Sequence, residues 1–448
     1  MTPTVGPWSG HDDIWRYLDE LAVGPAVPRA RTLHRMRGLV DALGRPQQVF
    51  PSIHVTGTNG KGSTVAYAAA LLAGSGLRVG TYTSPHLHHL TERVRVDGQP
   101  VDQDRMGDAI ARVVKAAPDG VDHSWFEVIT AAAYVLLAES EIDVAVVEVG
   151  ALGRVDATNV IDASVAVVTN IEIEHADRAG PTRRHIATEK SGIVRHGATL
   201  VLGEPDPSLA DVWSARRAGR IVRTGADYGA RNRRRTESGT FADLWTPWAE
   251  RDAVRIGAAG AYQCANAATA LAAAEAYLGR AVSPSAVASA LADTRVGGRW
   301  DVVGHRPTIV LDAAHNAAGA AAVAGTVAEE LADLRPRVLV VGVRGRRSPA
   351  GLLAALRPEQ FDHVVCTEPP AADACPAGMV AAALREPPAG GGALSAAGPA
   401  LPESISVEAV PAWPDALARA GDLAGASGAV LVTGSLYLVG AAHGALVG

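Results

Sequence analysis

The sequence predicts an α/β protein in two parts: an N-terminal P-loop domain with a doubly wound parallel sheet, and a smaller C-terminal Rossmann-like α/β domain. Three observations carry this reading. Short β-branched runs alternate with longer alanine-rich stretches. The strand runs are near-continuously apolar, as parallel strands buried on both faces are. The first of them enters a glycine-rich turn that opens a helix.

In chain order, strands are expected at Ile53–Thr56, Val79–Thr83, Val144–Val149, Val165–Asn170 and Leu200–Gly203. Helices are expected between them at Ser63–Ala73, Met106–Ala117 and Glu127–Glu139. From 204 to 259 the pattern is weaker, strand-like or irregular. Alanine-rich helices follow at Tyr262–Leu278 and Ser283–Ala292. Gly297-Gly298-Arg299 reads as a linker, which divides the chain into domains 1–296 and 297–448. Beyond it the alternation restarts: strand Thr308–Leu311, helix Ala317–Leu334, then strands Val338–Val343, Val364–Thr367 and Ala429–Thr433. Residues 369–403 are rich in Pro, Gly and Ala and read as a surface loop around one short helix.

Composition narrows the function classes. The 448 residues are 48% hydrophobic and 20% charged, which suits packed domains and not a disordered chain. A net charge of -6 argues against a nucleic-acid partner. Cys264, Cys366 and Cys375 fit neither a disulfide framework nor a zinc site, so reduced thiols and a cytoplasmic location are expected. The N-terminus lacks the basic and apolar regions of a signal peptide. No uncharged apolar run has the length of a membrane span, so no membrane partner is expected. Of the 41 Lys+Arg, only Lys61, Lys115 and Lys190 are lysine. A lysine that survives such a bias is expected where arginine would fail, because only lysine is a compact point charge whose amine can lose its proton and react.

The strongest local signal is His54-Val55-Thr56-Gly57-Thr58-Asn59-Gly60-Lys61-Gly62-Ser63-Thr64. Glycines let backbone N–H groups approach a phosphate, and the helix N-terminus adds partial positive charge. Thr58, Asn59, Gly60, Lys61, Gly62 and Ser63 are the candidate cradle, with Lys61 on the β/γ-phosphates. The standard G-x-x-x-x-G-K-[ST] spacing is broken by Gly62, which delays the hydroxyl by one residue. Glu148 ends an apolar strand at the carboxyl edge of the sheet, where ligands bind in open α/β folds. A glutamate there is costly to bury without a partner, which points to a ligand role.

The string Gly57-Thr58-Asn59-Gly60-Lys61-Gly62-Ser63 resembles the ATP-binding loop of the folylpolyglutamate synthase/dihydrofolate synthase family of the Mur ligase superfamily. Matching runs continue in order: Ser84-Pro85-His86, Glu148-Val149-Gly150, Asp156-Ala157-Thr158-Asn159, Thr169-Asn170, Glu189-Lys190-Ser191-Gly192, Asp312-Ala313-Ala314-His315-Asn316 and Thr433-Gly434-Ser435. The resemblance implies an ATP-dependent carboxylate–amine ligase that adds L-glutamate to dihydropteroate and (tetrahydro)folates through an acyl phosphate. It implies ATP and two Mg²⁺ ions, with Ser63, Ser84, Glu148 and His175 around the metal. Lys61, Lys190, His175 and Glu148 are the implied catalytic set, and Lys190 a site of carbamylation. Asn266, Arg299 and Asp312 are implied at the nucleotide, Phe126 and Asp156 at the pterin, and His315 and Ser435 at the substrates. The chain is expected to act as a monomer on small molecules.

Four departures bear on the substrates. Ala151-Leu152-Gly153-Arg154 replaces the family's L-G-G-R, Glu174 replaces the aspartate before His175, and Ala317 replaces the proline after His315-Asn316. Arg344-Gly345-Arg346-Arg347 replaces D-K-D, and Arg344, Arg346 or Arg347, with Arg346 first among them, is the candidate for the amino-acid carboxylate. Two other readings stay open on the sequence: an amide ligase for a different acid or amine, and a catalytically weak nucleotide-binding regulator.

Overall fold

Ser52–Thr56 (β1) is buried at every position, as a strand flanked on both sides and covered on both faces must be. It sits inside an eight-stranded sheet ordered β4-β3-β2-β5-β1-β6-β7-β8. The other members are Val79–Tyr82 (β2), Val94–Val96 (β3), Gln99–Pro100 (β4), Val144–Glu148 (β5), Val165–Val168 (β6), Thr199–Leu202 (β7) and Arg220–Arg223 (β8). β1, β2 and β5 to β8 run parallel, while β3 and β4 form an antiparallel edge. The computed structural model describes residues 11–23, 33–118, 121–174, 176–236, 239–345, 349–385 and 401–447.

Side-chain alternation splits the sheet residues between two cores. Ile53, Val55, Val144, Val146, Val165 and Val167 pack with helices Lys61–Ala73 and Ala261–Leu278. Ala145 and Val147 pack on the opposite face with helix Trp125–Glu139. That helix begins with a reciprocal cap between Ser124 and Glu127, and it is buried on nearly all sides. Register levels the carboxyl ends: Val55 pairs with Glu148, Thr56 with Val168, and Tyr82 with Val147. The segments after β1, β2, β5 and β6 therefore emerge side by side.

The chain divides into two units. One takes Met1–Arg234, Phe241–Ile256 and Cys264–Thr294; the other takes Arg235–Thr240, Gly257–Gln263 and Arg295–Gly448. The weak stretch 204–259 contains β8 and a three-stranded sheet of Gly229–Thr236 (β9), Gly239–Trp245 (β10) and Glu250–Ile256 (β11). β10 alternates buried and half-buried residues, and most of β9 is exposed, so neither strand reads as an apolar run.

The second unit carries Asp301–His305 (β12), Thr308–Asp312 (β13), Arg337–Val341 (β14), His363–Glu368 (β15), Ser406–Ala412 (β16) and Ala429–Thr433 (β17), ordered β12-β13-β17-β14-β15-β16. All neighbours are parallel except the β12–β13 pair. Asp312 and Val341 both pair with Thr433, which levels the carboxyl ends of β13, β14 and β17. The helix expected at Ala317–Leu334 ends at Glu330, ahead of Arg335-Pro336, whose proline disfavours helix before it. Within 369–403 the short helix is Ala377–Arg385, and residues 386–400 lie outside those described. β16, β12 and the β3–β4 edge escape sequence reading because they are short or largely exposed. Among the described residues, no helix is long and apolar enough to cross a membrane.

One buried ion pair ties the small sheet to helix Ala261–Leu278. Glu275, fully buried, accepts from Arg251, from the Thr246 hydroxyl, and from the Val282 N–H at 2.9 Å. Glu275→Ala strands the Arg251 guanidinium in that interior, so a loss of about 3–5 kcal/mol is expected in denaturant unfolding. A loss below about 1 kcal/mol would show that water reaches and solvates Arg251.

Candidate active site

The phosphate loop follows β1. Gly57 has φ +143° and Gly60 has φ +82°, conformations that favour glycine. A Cβ on Gly57 would collide with Thr169 Oγ1, and one on Gly60 with the Asn266 side chain. The loop is sewn to the segment after β6. Thr58 N–H donates to Asn170 O at 3.0 Å, Asn59 N–H to Asn170 Oδ1 at 2.9 Å, and Thr169 Oγ1 to Asn59 O at 2.6 Å. Thr169 and Asn170 appear in the sequence motif without a role; their function is to hold the loop's shape. Ser63 is buried in the first helical turn behind Lys61.

Two of the three lysines meet at one carbonyl. Lys61 Nζ donates to Gly57 O at 3.1 Å and Thr58 O at 3.0 Å. Lys190 Nζ donates to the same Gly57 O at 2.7 Å, and to Glu174 Oε1 at 2.6 Å. Lys190 is 1% exposed. Burial pulls its amine down to about 8; Glu174 opposes that shift and Lys61 adds to it. Lys115, the third lysine, is exposed in the last turn of helix Gln103–Ala116.

Glu148 is buried at the end of β5, and its Oε2 accepts the Ser84 N–H at 3.1 Å. That oxygen also lies beside Gly62, in ordinary contact range of the position a Cβ would take. Register thus brings Glu148, Ser84 and the turn holding Ser63 together. Among the described residues no three His, Cys, Asp or Glu side chains converge as a cage.

The segment after β5 is a bracket. Thr56 Oγ1 donates to Leu152 O at 2.6 Å, tying it to β1. Arg154 N–H donates to Glu189 O at 2.8 Å, and its guanidinium to Glu189 Oε1 at 2.7 Å, tying it to the Lys190 segment. Gly153 and Gly192 allow that close approach. Asp156 is buried; Oδ2 accepts Ala151 N–H at 2.8 Å, and Oδ1 accepts Thr158 N–H at 3.0 Å and Thr158 Oγ1–H at 2.6 Å. Burial pushes its carboxyl up, against these hydrogen bonds. The Phe126 ring lies against Gly150 and stacks on Tyr82 at 6.3 Å, so Phe126 and Asp156 share one wall.

In the second unit, Asp312 is buried and accepts Trp300 N–H at 2.8 Å, Ala314 N–H at 2.9 Å and Tyr262 Oη–H at 3.4 Å. Burial raises its pKa and Arg299 opposes that rise. Ser435 is buried after β17, while His315 is exposed with Nδ1 3.0 Å from Ala313 O. Arg344, just past β14, is held by Asp373 at 2.6 Å and lies over the Tyr437 ring at 4.2 Å. His175 and Arg346 lie outside the described residues. Glu174, Gly57 and Thr158 were not among the sequence candidates. Their positions in matching motifs were the available signal, and only the fold shows what each touches.

Residues 55–274 match the Mur ligase middle domain, and residues 298–436 the Mur ligase, glutamate ligase domain. The chain is 37% identical over 361 residues to the dihydrofolate synthase/folylpolyglutamate synthase of Mycobacterium tuberculosis, covering 75% of this chain and 74% of that one. The solved structure of Escherichia coli FolC in complex with DHPP and ADP superposes with a TM-score of 0.84 at 30% identity, over 96% of this chain and 97% of that one. A bifunctional folylpolyglutamate synthase/dihydrofolate synthase with Mn, AMPPNP and L-glutamate bound gives 0.82 at 29% identity, over 100% of both chains. A parallel-sheet unit with this phosphate loop, followed by a glutamate-ligase unit, is a Mur-type ligase. Within that class the chain belongs to the dihydrofolate synthase/folylpolyglutamate synthase family.

His54 supplies a test of the site's interior. It is fully buried on β1, and desolvation, with Arg195 adding to it, lowers its pKa to about 3 from an ordinary 6.5. The unfolded chain takes a proton that the folded chain refuses. This contribution to stability is therefore intact above pH 6.5 and is lost as pH falls toward 3. At pH 5 the loss amounts to about 2 kcal/mol. Urea midpoints of wild type should drop more steeply between pH 7 and 5 than those of His54→Phe; parallel slopes would disprove the assignment.

Proposed function

We propose that this protein joins L-glutamate to dihydropteroate and to (tetrahydro)folates, using ATP and releasing ADP and phosphate. The observation that carries the reading is the meeting of Lys61 and Lys190 at Gly57 O, beside Glu148, at the carboxyl edge of the sheet. The chemistry needs phosphate charge neutralised and three reactants held in register. The N–H groups of Lys61, Gly62 and Ser63 at the start of the helix and the Lys61 ammonium receive the β/γ-phosphates, while those of Thr58 and Asn59 are held by Asn170. The substrate carboxylate takes the γ-phosphoryl group, and the glutamate amine displaces phosphate from the acyl carbon. The Phe126 face and the Asp156 carboxylate suit a flat, donor-rich pterin ring.

The oxygen donors fit a hard cation that arrives with phosphates: one buried carboxylate on Glu148 beside the Ser63 turn. Ser63, Ser84, Glu148 and His175 would hold two Mg²⁺ ions, which supply charge neutralisation when bound. Asn266, Arg299 and Asp312 serve the nucleotide, and His315 and Ser435 the substrates. Arg346, or Arg344 or Arg347 beside it, replaces the family's lysine at the amino-acid carboxylate, since a guanidinium binds carboxylates bidentately. That replacement also motivates the second reading, a different acid or amine. The protein acts as a monomer in the cytoplasm, and its buried Cys264, Cys366 and Cys375, none of them in a disulfide, suit a reducing compartment.

Lys190 is the proposed carbamate. A neutral amine adds to carbon dioxide, the N–C bond forms and a proton leaves, giving an anion that arginine cannot provide. Burial and an amine lowered to about 8 support it.

Phosphate release from ATP measures the substrate reading directly. Release should require dihydropteroate or folate together with L-glutamate. No response to any pteridine acid sinks the proposal, and release with another acid–amine pair favours the second reading. Lys190→Ala should lower the rate on the order of 100-fold, with part returned by acetate or high chloride. Full activity of the alanine variant excludes the carbamate.

A further inference from the structure

His54 has no part in the phosphate chemistry, yet it occupies the middle of β1, fully buried. A valine would satisfy the sheet there with no polar group to bury. Its Nε2 lies 2.9 Å from Thr158 Oγ1. Thr158 Oγ1 is in turn 2.6 Å from Asp156 Oδ1, which also accepts the Thr158 N–H at 3.0 Å. Oδ1 is therefore an acceptor, and the single hydroxyl proton points to it. The hydroxyl oxygen then receives Nε2–H, which fixes the tautomer. Nδ1 is left as a buried acceptor with no hydrogen-bond partner among the described residues. A third contact, Tyr134 Oη–H to Thr158 O at 2.8 Å, holds the threonine from the far side.

The result is an asymmetric carboxylate. Oδ1 is filled by two donors from Thr158. Oδ2 takes Ala151 N–H at 2.8 Å, and the Gly150 N–H also supports the carboxylate. Ala151 follows Gly150, against which the Phe126 ring lies. We propose that His54 and Thr158 are positioning residues for the pteridine acid: their relay occupies Oδ1 of Asp156 and presents Oδ2 to the ring's N–H donors. Neither residue touches substrate. Thr158, β-branched and bonded on three sides, is stiff enough to pass the orientation on. This inference rests on the pteridine reading above.

Steady-state kinetics with each substrate varied in turn tests it. Thr158→Val keeps the shape and removes the hydroxyl, so the KM for dihydropteroate should rise about 10-fold or more. The KM values for ATP and L-glutamate should stay within about twofold, because those sites are built from other segments. Thr158→Ser should restore the dihydropteroate KM. His54→Phe should show the same selective rise, and adding it to Thr158→Val should cost nothing further, since one relay is broken once. An unchanged dihydropteroate KM, a rise shared equally by ATP, or additive losses in the double variant would overturn the relay. If Thr158→Val fails to fold, His54→Phe against wild type carries the same comparison. Wild type that turns over glutamate with no pteridine acid defeats the proposed function, and the relay with it. Turnover in wild type with Thr158→Val unaffected defeats the relay alone.

Discussion

The carbonyl of Gly57 is the point on which the site depends. It accepts hydrogen bonds from the ammonium groups of both Lys61 and Lys190. Two cations share one neutral oxygen only if the backbone there turns so that the carbonyl faces both. Gly57, at φ +143°, makes that turn against Thr169 with no Cβ in the way. Glu174 supplies negative charge to one of the pair, and Lys61 remains close to its own loop carbonyls. The Lys61 ammonium at the loop mouth supplies the positive charge that a transferring phosphate requires.

The bracket after β5 extends that constraint. It is bonded to β1 through Thr56 and His54, and to the Lys190 segment through Arg154 and Asn159. One segment therefore fixes the lysine and the Asp156–Phe126 wall together. Buried polar groups carry this arrangement: Glu148, Asp156, Lys190 and His54 all lie in or beside an apolar sheet. Each is costly to bury and is tolerated because a specific donor or acceptor meets it.

Much of the site was legible in sequence because its residues are local. The phosphate loop is one continuous string, and Glu148 is conspicuous as a carboxylate at the end of an apolar run. The lysine bias singled out Lys61 and Lys190 without reference to any family. What could not be read was pairing across long separations. Gly57 and Lys190 are joined only when β1 and the helix ending at Lys190 come together, as are His54 and Thr158. The three-stranded sheet β9 to β11 was obscure for a different reason: half-exposed strands lack the apolar run that marks a buried parallel strand.

The sequence by itself determined the fold class, the order of the buried parallel strands with the helices between them, and the residue types at the phosphate loop. Apolar period, glycine placement and a point-charge lysine are local properties written along the chain. Tertiary structure decided which groups face each other. It paired Lys190 with Glu174, turned both lysines onto one carbonyl, and gave the two oxygens of Asp156 different work. Those outcomes follow from strand register and loop crossing, since a shift of one residue along a strand sends each side chain to the other face.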